Sequence, residues 1–98
     1  MMHPYVTFPD ETEVVFSHIM GQNDAWRIEV HFERPREGGF DSARCVLPDH
    51  QWLFRDGFAE HEMRFFEEFL RYNARLIYHL AKQGGIPLKP VDDSTGII

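Results

Sequence analysis

Between Ala25 and Glu33 the chain alternates strictly, with Trp26, Ile28, Val30 and Phe32 on one side and Arg27, Glu29, His31 and Glu33 on the other. A period of two is that of a strand with one buried face. The preceding segment Thr12 to Ile19 is rich in β-branched residues, and the polar run Met20 to Asp24 reads as a five-residue hairpin loop. That loop sets Val14, Phe16 and His18 opposite Val30, Ile28 and Trp26, so the apolar phases of the two strands agree. Pro35 to Gly39 reads as a turn, and Phe40 to Leu47 as a third strand with Ala43, Cys45 and Leu47 inward. His3 to Phe8 is a candidate fourth strand, restricted to an edge by Pro4 and Pro9. Trp52 to Phe54 reads equally as a short strand or as a loop closing the core.

Downstream the period changes. Ala59 to Gln83 contains neither Pro nor Gly, follows Asp56 and Gly57 as cap candidates, and ends at Gly84 and Gly85. At 100° per residue, Ala59, Met63, Phe66, Leu70, Ala74, Ile77 and Ala81 form one stripe, and Phe65, Phe69, Leu76 and Leu80 form a second beside it. Glu60, Arg64, Glu67, Glu68, Arg71, Arg75 and Lys82 fill the polar side, with Glu60/Arg64 and Glu67/Arg71 spaced for helical ion pairs. The expected fold is α+β: an antiparallel three- to four-stranded sheet packed against one long C-terminal helix. Residues 1–85 form a single domain in this reading, and 86–98, with two prolines and no periodicity, a flexible tail. The expected core is Val14, Phe16, Trp26, Ile28, Val30, Phe32, Ala43, Cys45, Leu47, Phe66, Leu70 and Ile77.

A sheet of so few strands covers only part of an apolar arc this wide. The second stripe, Phe65, Phe69, Leu76 and Leu80, is therefore the expected interface of a homodimer or a protein partner. The competing cover is the segment Trp52 to Phe58 together with the tail. The order of hairpin, further strand and long helix is similar to that of small bacterial antitoxin-type domains, a likeness of element order with no motif behind it. It implies a protein-binding rather than a catalytic role.

Charge and composition narrow the chemistry. The 98 residues carry 10 Lys and Arg against 16 Asp and Glu, a formal charge of −6, which disfavours nucleic-acid binding through phosphate neutralisation. One cysteine excludes an intramolecular disulfide and suits a reducing, cytoplasmic setting. The first residues lack the pattern of a secretory leader, and no apolar run is long enough to span a membrane. Six histidines show no ligand spacing, so no metal and no cofactor are expected. Cys45 falls on an inward strand position, where it reads as a small hydrophobe. The expected function is a non-enzymatic, self-associating or protein-binding regulatory module. The alternative is a small-molecule or catalytic site in the aromatic loop Asp49 to Phe58, with His50, Trp52 and Asp56 lining it.

Overall fold

The computed structural model describes residues 1–84. The chain folds into five strands, β1 (Met2–Thr7), β2 (Glu13–Ser17), β3 (Ile28–Arg36), β4 (Gly39–Leu47) and β5 (Gln51–Asp56), followed by helix α1 (Glu60–Lys82). All neighbours are antiparallel and the spatial order follows the sequence order, a simple meander with β1 and β5 as edges. The α+β class and the C-terminal helix are as expected, but the sheet has five strands rather than three or four. Both additions lie at edges, where pairing on one side only leaves little periodic signal in the sequence. The middle of β1 carries Pro4, and the pairing with β2 shifts between Pro4 and Val6, features common on edge strands.

The β2–β3 register differs from expectation by two residues. Val14 pairs with Phe32 and Phe16 with Val30, because the connection is longer than five residues and contains a single 3-10 turn, Asn23–Ala25. A shift of two preserves the face, so Val14, Phe16, Ile28, Val30 and Phe32 are all fully buried. Between Phe16/Val30 and the outlying bridge Met20/Arg27, β2 advances four residues against three on its partner. The resulting bulge is closed by Ser17, whose Oγ accepts the Glu29 N–H at 2.9 Å. The turn expected over Pro35–Gly39 is tighter, because Arg36 pairs directly with Gly39 and Pro35 with Phe40. Alternation points the position of the missing Pro35 N–H outward, where β2 no longer runs alongside.

Helix α1, about 34 Å long at 1.5 Å per residue, lies across the inner face of the sheet. Its first stripe supplies buried Met63, Phe66, Leu70, Ile77 and Ala81. Phe66 stacks on Phe32 with centroids 4.2 Å apart and meets Phe58 edge-on at 4.9 Å. The expected core residues are buried except Trp26, which is half-exposed at the margin. The helix begins at Glu60, one residue later than expected, and neither Asp56 nor Gly57 caps it. Asp56 completes β5, and Ala59 is the N-cap, with the Glu62 carboxylate accepting the Ala59 N–H at 2.9 Å. Gly84, at φ +93°, follows the C-terminal turn and donates to the Ala81 carbonyl. The expected helical ion pairs give way to cross-element contacts. Glu60 pairs with Arg55 at 3.2 Å and Glu67 accepts the Trp52 indole N–H at 3.1 Å, so both tie the helix to β5.

Candidate functional site

The second stripe overhangs the β1 edge of the sheet. Tyr5 on β1 donates a 2.6 Å hydrogen bond to Asn73, and its ring lies 6.0 Å from Phe69. Phe8, just past β1, sits against Phe65 and Phe69 at 5.5 and 5.1 Å. These contacts half-bury Phe69, while Leu80 is half-buried further along the helix. Phe65 remains 54% exposed and Leu76 52%. Tyr72, absent from the expected interface, is 77% exposed. Phe65, Phe69, Tyr72 and Leu76 follow one another at intervals of four, three and four, the spacing of a helix–helix seam. This regularity is present in the sequence, but the two apolar stripes expected there do not include Tyr72.

The segment Trp52 to Phe58 does not cover this stripe. It forms the opposite edge of the sheet, where Trp52 meets Glu67 and Phe32 on the other flank of the helix. The tail lies outside the described residues.

At the N-terminal end of the stripe is a hollow of about 480 Å³ lined by Phe8, Pro9, Asp10, His61, Glu62, Phe65 and Phe66. Its floor is apolar and its rim carries the two carboxylates. Both rim groups are held by Arg34 of β3, whose guanidinium reaches Asp10 at 3.1 Å, Glu62 at 2.6 Å and Asp41 at 2.8 Å. The same group lies 4.8 Å from the centre of the Phe58 ring. Asp41 also pairs with Arg36 at 3.2 Å. The Arg34 hydrogen bonds, together with that from the Ala59 N–H, hold the Glu62 carboxyl below its ordinary range. The Asp10 carboxyl is lowered first by the Thr12 N–H and then by Arg34. Burial offsets part of both shifts. Sequence pattern had no means of finding this cluster, since its members come from four separate segments.

The residues expected to line a small-molecule site do not converge. His50 occupies the β4–β5 turn and Asp56 the far end of β5, about 20 Å away along a six-residue strand. Trp52 lies between them with its indole committed to Glu67. The segment is a strand rather than a loop, and a one-residue irregularity in its pairing with β4 puts Trp52 and Phe54 opposite neighbouring Cys45 and Arg44. His50 instead joins Trp26, Leu47, Pro48, Ala74, Arg75 and Tyr78 around a second hollow of about 250 Å³.

Cys45 is fully buried, and burial pushes its thiol up to about 12, which leaves essentially no thiolate at neutral pH. Among the described residues no group of three or more His, Cys, Asp or Glu side chains is arranged to hold a metal ion, and no helix is long and apolar enough to cross a membrane. Comparison with protein-family models, with curated proteins and with solved structures finds no match.

Proposed function

We propose that this chain is a non-enzymatic protein-binding module whose first partner is a second copy of itself, joined through α1 helices packed antiparallel along the overhanging stripe. The carrying observation is the exposed seam Phe65, Tyr72 and Leu76 beside an edge strand. An exposed apolar seam of this length costs solubility unless it is used.

Charge favours the antiparallel copy over a parallel one. The first half of α1 holds Glu60, Glu62, Glu67 and Glu68 with only Arg64 of opposite sign, whereas the second half holds Arg71, Arg75 and Lys82 with no acid. This asymmetry complements the helix dipole within one chain. In an antiparallel pair the acidic and basic halves of the two helices oppose one another at long range rather than in contact, since Glu60 and Glu67 are engaged by β5 and Arg71 and Arg75 lie on the flank away from the seam. The seam is symmetric about its midpoint, so a two-fold axis there brings Phe65 to Leu76 and Phe69 to Tyr72 in both directions. Leu76 and Leu80 of each copy then approach the Phe8–Phe65–Phe66 hollow of the other. Pro4 and the β1 irregularity disfavour joining the sheets edge to edge, so the helices carry the contact.

Light scattering on the full chain at micromolar concentration tests this. The wild type should run as a dimer and Leu76→Glu as a monomer with unchanged circular dichroism. A monomeric wild type, or a dimer indifferent to both Leu76→Glu and Tyr72→Glu, overturns it. Phe69→Glu is the poorer probe, because Phe69 also packs on Tyr5, Phe8 and Phe32.

A further inference from the structure

On the flank of α1 away from the seam, the start of β3, the β4–β5 turn and the second half of the helix enclose the hollow of about 250 Å³ lined by Trp26, Leu47, Pro48, His50, Ala74, Arg75 and Tyr78. Its inner wall is the Trp26–Tyr78 pair, with ring centroids 4.7 Å apart at 48°. A second hollow of about 270 Å³, lined by His50, Glu67 and Arg71, adjoins it at His50. The first is almost wholly apolar; the second is polar. One planar body and one charged group would divide between them.

The charges nearby indicate which sign the charged group carries. Arg71 and Arg75 stand one turn apart on the helix, and His50 faces them from the turn. Arg75 and His50 make no ion pair or hydrogen bond among the described residues, and Arg71 has only a 3.9 Å contact with Glu68. Lys82 Nζ lies 5.8 Å from the Tyr78 ring centre, adding positive charge at the same end. Among the described residues lining these hollows Glu67 is the one acid; it accepts the Trp52 indole N–H and keeps its charge, and Arg71 and Arg75 leave the lining net positive. Arg27, Arg44 and Arg64 also make no ion pair among the described residues, so what sets Arg75 and Arg71 apart is their place beside an aromatic hollow. Arginine's planar fork matches carboxylate and phosphate oxygens, and a buried apolar ring supplies the rest of the affinity.

We infer that this double hollow binds a small aromatic anion, its ring against Trp26 and Tyr78 and its carboxylate or phosphate held by Arg75, Arg71 and His50. A volume of about 250 Å³ lies below the roughly 300–1,000 Å³ usual for drug-sized ligands, which limits the body to a single ring system. The site is on the other flank of the helix from the seam and does not depend on self-association.

The test is a titration of the full-length, isotope-labelled protein with phenyl phosphate, benzoate, inorganic phosphate and benzyl alcohol, followed by the indole and backbone resonances of Trp26. Saturable shifts are expected with phenyl phosphate or benzoate, and their relative strength identifies which head group the arginines prefer. Inorganic phosphate and benzyl alcohol should each bind at least about tenfold more weakly, since each lacks one half of the recognition. Arg75→Gln should weaken the aromatic anion by roughly tenfold with the fold unchanged by circular dichroism, and His50→Asn serves as the second variant should Arg75→Gln not fold. The Leu76→Glu protein should bind as the wild type does, which separates failure here from failure of the dimer proposal. Absence of saturable shifts at millimolar concentration, equal binding of benzyl alcohol, or indifference to both variants overturns the assignment.

Discussion

At the scale of single residues, Arg34 organises more of the molecule than any other polar side chain described. It joins the β1–β2 turn, β4 and the first turn of α1 through Asp10, Asp41 and Glu62. Because the folded state lowers the Asp10 and Glu62 carboxyls, their contribution is fully present above the ordinary carboxylate range near pH 4. It is lost as pH falls through their lowered folded values. Thermal unfolding followed from pH 7 down to pH 2 should therefore show falling stability only on the acid side. Arg34→Met should cost about 2 kcal/mol at neutral pH by leaving buried Asp41 with Arg36 alone, and should flatten that acid limb. Nearby, Gly57 adopts φ +100°, and a Cβ there would overlap the Asp41 carboxylate. Gly57→Ala should destabilise by more than about 1 kcal/mol, seen as a drop in Tm of at least about 4–8 °C.

At the scale of elements, α1 is held by packing more than by its termini. Ala59 has N-cap geometry, with φ −77° and ψ 164°, but no side-chain oxygen to accept an amide of the first turn. Ala59→Ser should therefore stabilise the protein by about 1 kcal/mol in chemical denaturation without altering its oligomeric state. Helix and sheet periods were legible because burial on one face imposes them. Register was not, since hydrophobic phase is unchanged by a shift of two and the 3-10 turn at Asn23–Ala25 carries no distinct signature. The edge strands were ambiguous for a related reason. Leu53 and Phe54 are 52% and 45% exposed on β5, so their apolar character reflects no burial rule.

At the scale of the whole molecule, among the described residues the five-stranded sheet covers the first stripe of α1 and leaves Phe65, Tyr72 and Leu76 exposed on the β1 flank. The acidic and basic halves of the helix make the proposed dimer sensitive to screening. Raising ionic strength from about 0.01 M to about 1 M shortens the Debye length from about 30 Å to about 3 Å. The dimer dissociation constant should rise several-fold over that range in analytical ultracentrifugation. A seam held by apolar contact alone would not weaken.

What the sequence by itself determined is the part of this protein governed by local repetition: the α+β class, a helix read over Ala59 to Gln83 and found over Glu60–Lys82, and the faces that Val14, Val30, Phe66 and Ile77 bury. It also marked Phe65, Phe69, Leu76 and Leu80 as surplus to one core, of which Phe65 and Leu76 are exposed and Phe69 and Leu80 half-buried. Only the tertiary structure decided that β5 lies on the far flank, that Arg34 gathers Asp10, Asp41 and Glu62, and that His50 meets Trp26, Arg75 and Tyr78 rather than Asp56. Periodicity reports which way a side chain points within its own element. Convergence of residues distant in sequence depends on register, turn length and edge placement, and a shift of two residues changes the first two while leaving the hydrophobic pattern intact.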